Sequence, residues 1–423
     1  MARQMKDSGI EWIGEIPETW EIVRIGSQYT ERRTKVSDTE YPPLSVTMKG
    51  IMPQLATAAK TDAHDDRKLV CVGDFAINSR SDRRGSCGIS AYDGSVSLIN
   101  TILCPRDEMN PQYYDWLFHS TMFSDEFYKW GHGIVDDLWT TNWQDMKRIS
   151  IPEPPLDEQQ RIAAFLDRKC AEIDAVIERT KATIEEYKKL KQAVITEAVT
   201  KGVRGPRPMK DSGIEWIGEI PEGWSQNSIK NVAETCSGGT PTSNDESMYD
   251  GDINWVCSYD LHEKPIIESG RKITEIGAAS IAGKLQSRGS VLIAMYGGAG
   301  TIGNSGILEC EARTNQAICS IKFNNAYVLD YYGFYYIMAI RKYWMMYAVG
   351  TRKDPNISQD IVKRMRCIIP PIVEQQEIIS YLDEKCAALD TLIAKKTALL
   401  TELETYKKSL IYEYVTGKKA TID

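Results

Sequence analysis

The apolar residues of one long stretch fall at steps of three, four and seven: Ile162, Leu166, Ile173, Ile177, Ile184, Tyr187 and Val194. A second stretch repeats the pattern with Ile378, Leu382, Leu389, Ile393, Leu400, Leu403 and Leu410. The spacing predicts two helices of about 40 residues, roughly 60 Å each. Each carries one apolar seam of heptad period over about five heptads, as a coiled coil requires. Both open on a Pro-Pro pair, at Pro154 and Pro370, which stops the preceding strand and starts the helix. The texts run in step, "PPLDEQQRIAAFLDRKC" against "PPIVEQQEIISYLDEKC", with Cys170 matching Cys386, and end on "ITEAVTKG" and "IYEYVTGK". Neither helix is apolar all round, so the two seams are expected to bury each other.

A shorter repeat precedes each helix. "MKDSGIEWIGEIPETW" at Met5 returns at Met209 with only Thr19 changed, to Gly223. The chain thus reads signature, domain, long helix, and the same again. Two near-equal halves suggest an internal two-fold. A two-fold perpendicular to the helices would make them antiparallel, and that pairing is favoured here. The intervening segments alternate short β-like runs ("KLVCVGDFAINS", "GSVSLINTILCP", "GSVLIAMYGG", "QAICSIKF") with Gly-rich turns, then turn helical and aromatic. They share an order of landmarks, Gly73 with Gly289 and Asn100 with Asn315, but little else. The expected fold is therefore α+β: two mixed α/β domains with an internal pseudo-two-fold, residues 1–153 (signature 5–20) and 205–369 (signature 209–224). Two long helices, 154–204 and 370–423, join them as an antiparallel coiled coil.

Composition narrows the function. Hydrophobic content of 42% and charged content of 26% suit a soluble globular chain. No apolar run approaches the roughly 18–20 residues of a membrane span, and the N-terminus has no apolar segment like a signal peptide's. Ten cysteines without CxxC pairs point to free thiols in a reducing compartment. Four histidines (His64, His119, His132, His262) lie far apart, which argues against zinc. The net charge of −8 argues against a free-standing nucleic-acid binder, though not against basic loops or a basic partner.

Enzyme motifs are largely rejected. "GGAGTIG" holds a GxGxxG (Gly298, Gly300, Gly303), but a dinucleotide site needs a helix next and the following residues read as strand. "NPQY" at 110–113 approaches the Asn-Pro-Pro-Tyr of adenine methyltransferases, but Gln112 replaces the second proline; Asn110 reads better as a helix cap with Pro111 in the first turn. No GxSxG, Walker A or catalytic Cys/His arrangement occurs. What remains is three basic groups in or beside Gly/Ser/Asn-rich turns: Arg80/Arg83/Arg84, Arg352/Lys353 and Lys363/Arg364/Arg366. Arginine suits guanine and Asn or Gln suits adenine in the major groove, while nearby serines and lysines suit phosphates. Candidate DNA-contacting residues are Arg80, Ser81, Arg83, Arg84, Asn100, Trp139, Thr140 and Asn142 in the first domain. In the second they are Tyr296, Asn304, Arg313, Asn315, Gln316, Arg352, Lys353, Asn356 and Ser358.

The double "SGIEWIGEIPExW", the "PPxxEQQxI" helix starts, "SGGTPTSNDESMYDGDINWV" (237–256) and "VGTRKDPNIS" (349–358) resemble the specificity subunit of type I restriction-modification enzymes over essentially the whole chain. The first domain departs most: it lacks "GGTP" and has "GHGIVDDLW" in place of "VGTRKDPNIS". The resemblance implies that each domain reads one half of a bipartite, asymmetric double-stranded DNA target and that the coiled coil sets the spacing. It further implies that two methylation subunits dock on the helices and signatures, and that two restriction subunits add cleavage. S-adenosylmethionine, ATP and Mg would belong to those partners; this chain would bind no cofactor or metal, hold no catalytic residue, and work in a prokaryotic cytoplasm. Expected partner contacts are Trp12, Trp20, Trp216, Trp224, Gln159, Gln160, Gln375 and Gln376, although the signature's Trp and Ile residues equally suit a clamp of domain on helix. The alternatives are a coiled-coil scaffold for protein partners, an enzyme with its own methyltransferase or nuclease domain, and the specificity part of a methyltransferase-only system.

Overall fold

The computed structural model describes residues 3–54, 65–133, 139–297, 300–350 and 355–421. The chain divides into two units: residues 1–181 with 398–423, and residues 182–397. The two long helices, Leu156–Lys201 and Ile372–Val415, each contribute one part to each unit.

In the first unit the signature folds as a small ladder, Met5–Asp7 against Glu15–Pro17. The two ends of the domain then pair, Glu21–Arg24 with Ser150–Glu153. Between them lies an antiparallel sheet in the order Cys87–Ile89, Phe75–Asn78, Asn100–Pro105, Tyr29–Glu31. A three-stranded sheet, Gly94–Val96, Arg67–Val70 and Lys35–Val36, accompanies it. Helices Pro111–Phe118 and Thr121–Lys129 lay Tyr114, Phe118, Phe123 and Phe127 into the core, with Phe118 in contact with both Phe75 and Phe123. Asn110 caps the first of these helices, accepting from the N–H groups of Gln112 and Tyr113, with proline in the first turn as the "NPQY" text predicts.

The second unit repeats this plan: Ser305–Leu308, Val291–Ala294, Ile318–Phe323 and Ala233–Ser237 form the equivalent sheet. It gains a fifth, parallel edge strand, Lys264–Ile266. Gly73 and Gly289 occupy the same turn with φ of +87° and +81°, and their N–H groups donate to Ser90 and Leu308. The signatures are offset by 204 and these glycines by 216, so the dozen additional residues of the second domain precede Gly289, where the edge strand lies. Register corrects one landmark. Asn100 stands opposite Asn78, and its equivalent opposite Ala294 is Ile318, not Asn315. Asn315 matches Ser97 instead: each offers its carbonyl to the N–H three residues on, at Ile318 and Asn100.

Helix pairing is antiparallel within each unit. In the first, Phe165 stacks on Tyr414 at 4.3 Å and Lys407 reaches Asp174 at 2.6 Å. In the second, Lys191 reaches Asp390 at 2.8 Å. Asp174 and Asp390 are equivalent in the repeat, as are Lys191 and Lys407, so one ion pair is used twice with the helices exchanging roles. The seam is not buried by helix alone. Ile162, Leu166, Leu410 and Val415 share one core with Trp12, Ile16 and Tyr113. Val199, Ile378 and Leu382 share another with Ile220, Trp224 and Tyr332.

Each domain thus grips the start of one helix and the end of the other. At the starts, Trp20 donates its indole N–H to Glu158 at 2.8 Å and Trp224 donates to Glu374 at 2.9 Å. Arg3 and Arg207 pair with the same carboxylates, and each guanidinium lies 5.2 Å over the neighbouring tryptophan. At the ends, the Tyr113 hydroxyl donates to the Val415 carbonyl at 2.8 Å, and Tyr332 donates to Val199 and Ile368. Val199 and Val415 belong to the last turns, whose carbonyls have no partner in the helix. Burial pushes both phenols well above their ordinary pKa, so they remain O–H donors.

Candidate nucleic-acid interface

The candidate contact residues gather where the central sheet strand leaves each core. In the first unit, Phe75–Asn78 runs on into Ser79, Arg80 and Ser81, and these pair with residues 139–141. Thr141 N–H donates to Ser79, Ser81 N–H donates to Trp139, and Arg80 bridges Thr140, which also exchanges two hydrogen bonds with His132. The Trp139 indole donates to the Tyr128 carbonyl at 2.8 Å. Arg84 lies 5.0 Å over the Tyr128 ring and 3.3 Å from Asp125. Ser81, Asp82, Arg84, Asp125, Tyr128, Lys129 and Trp139 line an open cleft of about 730 Å³. Arg83 and Arg84 are 69% and 57% exposed, so their guanidinium groups can reach a ligand. Asp82 and Asp125 in the same cleft disfavour a phosphate there and suit base edges, since a carboxylate accepts from cytosine N4.

The second unit builds the same junction from other residues. Met295 follows Val291–Ala294; its N–H donates to Ala317 at 2.7 Å and its carbonyl accepts from Ile357 at 2.9 Å. Met295 and Ile357 correspond to Ser79 and Thr141, and Tyr296 to Arg80. Asn356 pairs with Val349, as Thr140 pairs with His132. The "GGTP" segment that the first domain lacks lies along residues 314–316. Gly239 N–H donates to Thr314 at 2.9 Å, and Gly238 approaches the Thr314 carbonyl so closely that no Cβ fits. The Trp255 indole donates to Gly239 at 3.1 Å and the Tyr249 hydroxyl to Pro241 at 2.9 Å. Thr240 is thereby set against Gln316, to whose side-chain oxygen it donates.

Other candidates have structural work in this fold. Asn100 is buried and donates to Ser97 at 3.0 Å. Asn142 and Ser358 are equivalent caps of the helices Trp143–Met146 and Gln359–Arg364. Asn304 forms the turn before Ser305–Leu308, and its backbone carbonyl accepts from Ala294. Arg313 donates to the Gly283 carbonyl, and the Asn315 side chain accepts from Ala317 N–H at 3.2 Å. Arg352 and Lys353 lie outside the described residues. Arg364 and Arg366, from the third basic group, line a pocket of about 300 Å³ with Ile214, Trp216, Tyr347, Ile361 and Met365. Gly298 of the GxGxxG is also outside the described residues. The strand Ser305–Leu308 follows that loop, as the sequence reading expects.

The expected partner contacts separate sharply. Trp12, Trp20, Trp224, Gln159 and Gln375 are buried in their own units. Gln159 accepts from Asn110 N–H and donates to Pro154; Gln375 accepts from Leu329 N–H and donates to Tyr327 and Pro370. Trp20, Trp224, Gln159 and Gln375 thus join domain to helix through hydrogen bonds, while Trp12 packs its ring against Phe123 and its buried indole N–H has no partner among the described residues. Trp216 is half-buried and stacks on Tyr343 at 4.1 Å. Only Gln160 and Gln376 of the eight are exposed. The motif "EQQ" is therefore legible position by position: the glutamate holds the signature, the first glutamine holds the domain, and the second faces outward. Arg3 and Arg207 escaped the sequence reading although they stand two residues before the signature in both copies.

All ten cysteines are free. Among the described residues, no group of His, Cys, Asp and Glu could hold a metal ion, and no helix is long and apolar enough to cross a membrane.

Comparison with known proteins agrees with the repeat. The family model for the type I restriction modification DNA specificity domain matches twice, at residues 17–186 and 221–404. The chain is 24% identical to the type I restriction enzyme MjaVIII specificity subunit of Methanocaldococcus jannaschii, over 95% of this chain and 93% of that one. It is 22% identical to the StySPI specificity subunit of Salmonella potsdam, over 82% and 74%. Among solved structures, a chain from a study of complex assembly and conformational transition of the type I R-M system superposes with a TM-score of 0.72 at 15% identity, covering 96% of this chain and 99% of that one. The HsdS subunit from Thermoanaerobacter tengcongensis superposes at 0.50 and 16% identity, covering 96% and 98%. With both halves matched by the same domain model, and the same domain, clamp and helix pairing built twice, this chain belongs to the type I restriction-modification DNA specificity family.

Proposed function

We propose that the chain supplies DNA sequence specificity to a type I restriction-modification complex, each unit reading one half of a bipartite double-stranded target. One observation carries this reading. Both units build the same backbone junction, Ser79 with Thr141 and Met295 with Ile357, but surround it with different chemistry. The first presents Arg80, Arg83, Arg84 and Trp139; the second presents Thr240, Tyr296, Gln316 and Asn356. A fixed scaffold with two different faces suits an asymmetric target, because base edges are told apart by donor and acceptor pattern.

In this reading the paired helices set the distance between half-sites. Two methylation subunits bind the helices and the outward-facing Gln160 and Gln376. A groove of about 370 Å³ in the first unit, with Phe165, Val176, Leu403 and Tyr406 on its apolar side and Lys169, Glu172 and Lys419 at its charged side, supports docking on the helices. S-adenosylmethionine, ATP and Mg act in the partner subunits, restriction subunits included, and the complex works in a prokaryotic cytoplasm. This chain contributes recognition and assembly, not a catalytic group.

The test is exchange of residues 225–369 for the same domain of a relative, in cells that also express the methylation subunit. Long-read detection of methylated adenines should show one half of the modified sequence replaced and the other half kept. An unchanged sequence would refute DNA reading by this domain.

A further inference from the structure

Gln316 is a candidate base reader whose side chain is exposed and faces polar neighbours from two other segments, Thr240 and Tyr296. Asn315 shapes its approach: Asn315 N–H donates to Val256 at 3.0 Å, and its side chain accepts from Ala317 N–H at 3.2 Å. That turn points the next residue, Gln316, outward. Thr240, brought in by the close packing of Gly238 and Gly239 on Thr314, donates its hydroxyl to the Gln316 oxygen. Burial raises the Tyr296 pKa, so its phenol stays neutral, while the Gln316 amide pulls it the other way, as an N–H directed at the phenol oxygen does.

A carboxamide has two acceptor lone pairs and two N–H donors. Thr240 occupies one lone pair, and an amide N–H given to the Tyr296 oxygen occupies one donor. One acceptor and one donor therefore remain on a planar amide that is held before any ligand arrives. A phosphate contact uses donors alone and would waste the acceptor. In the major groove guanine offers two acceptors, cytosine one donor, and thymine an acceptor beside a methyl group. Adenine alone offers an acceptor, N7, beside a donor, N6–H. We propose that Gln316 is a specificity-determining residue that reads an adenine in the half-site recognised by the second unit, with Thr240 as its positioning residue. This rests on the DNA-reading function proposed above.

The experiment uses the full chain with its methylation subunit and reads the methylated sequence genome-wide. Q316A should leave one half-site and the spacing intact and loosen one position of the other, with discrimination there falling roughly 5- to 150-fold. Q316E keeps the side-chain size and the bond from Thr240, so it folds even where alanine does not. It should move the preference at that same position toward cytosine, whose N4 donates to a carboxylate. T240V should loosen the same position less than Q316A, because the Tyr296 contact survives. An unaltered sequence in Q316E overturns the assignment. That result differs from failure of DNA reading itself, in which exchange of the whole of residues 225–369 would also leave the sequence unaltered.

Discussion

At the scale of single residues, the two clamps are alike in chemistry and unlike in burial. Glu374 has a side chain 2% exposed, Glu158 one of 12%, and each is held by one tryptophan and one arginine. A buried carboxylate that loses a donor keeps its full desolvation cost, and a hydrogen bond to a charged group is worth about 1.5–3 kcal/mol. Trp224→Phe keeps most of the ring and removes only the N–H, so it should destabilise the second unit by about that amount. Trp20→Phe should cost the first unit less, because water can still reach Glu158. Hydrogen exchange followed unit by unit during urea titration would check this; equal losses would show that carboxylate burial does not set the cost, and no loss in either unit would show that the indole bonds do not bear on stability. The same physics explains what the sequence could not reveal at this scale. Gln159 and Gln375 look like surface glutamines in a polar "EQQ" text, and Asn100 like a loop asparagine. Their burial depends on partners 46–49 residues away or on strand register, and no local pattern carries that information.

At the scale of elements, period and punctuation carried most of the fold. The heptad seam, the Pro-Pro starts and the four β-like runs all appear where local spacing places them, because each depends on residues close in sequence. The helix ends were less legible. Helix Leu156–Lys201 stops at Gly202, with φ of +81°, beside Arg207, Glu374 and Trp224. Helix Ile372–Val415 is followed by Gly417, with φ of +72°, against Pro17 and Trp20. These glycines terminate the helices in a left-handed turn and make room for a clamp on the other helix's start. That second role requires knowing that each domain holds both helices. The ruler reading makes a prediction at this level. Four residues inserted after Lys181 and four after Thr397, where each helix passes from one unit to the other, lengthen both by slightly more than one turn, roughly 6 Å. With base pairs about 3.4 Å apart, the gap between half-sites should grow by one to two base pairs while both half-sites keep their identity. Changed identity at constant spacing, read from methylated sites, would sink the ruler.

At the scale of the whole molecule, the charge sets what this chain can do unaided. It carries 59 acidic and 51 basic residues, for a net charge of −8. Affinity for DNA comes mainly from phosphate neutralisation and falls steeply with salt. Base contacts, by contrast, choose among sequences once the duplex is held. In the proposed reading the two faces do the choosing. The first mixes Arg83 and Arg84 with Asp82 and Asp125, and the second rests on neutral Thr240, Tyr296 and Gln316. Among the described residues neither concentrates positive charge enough to hold a polyanion alone, and in the proposed reading that charge comes from the methylation subunits. The isolated chain should accordingly bind a duplex bearing its target with about micromolar affinity or weaker at physiological salt, with a strong salt dependence and little preference over a scrambled duplex. Adding methylation subunits should tighten binding to the target far more than to the scrambled sequence. Fluorescence anisotropy on the two duplexes, with and without the partner and at several salt concentrations, measures all of this. Nanomolar, sequence-specific binding by the chain alone would show that its faces supply both grip and choice, and would overturn this division of labour.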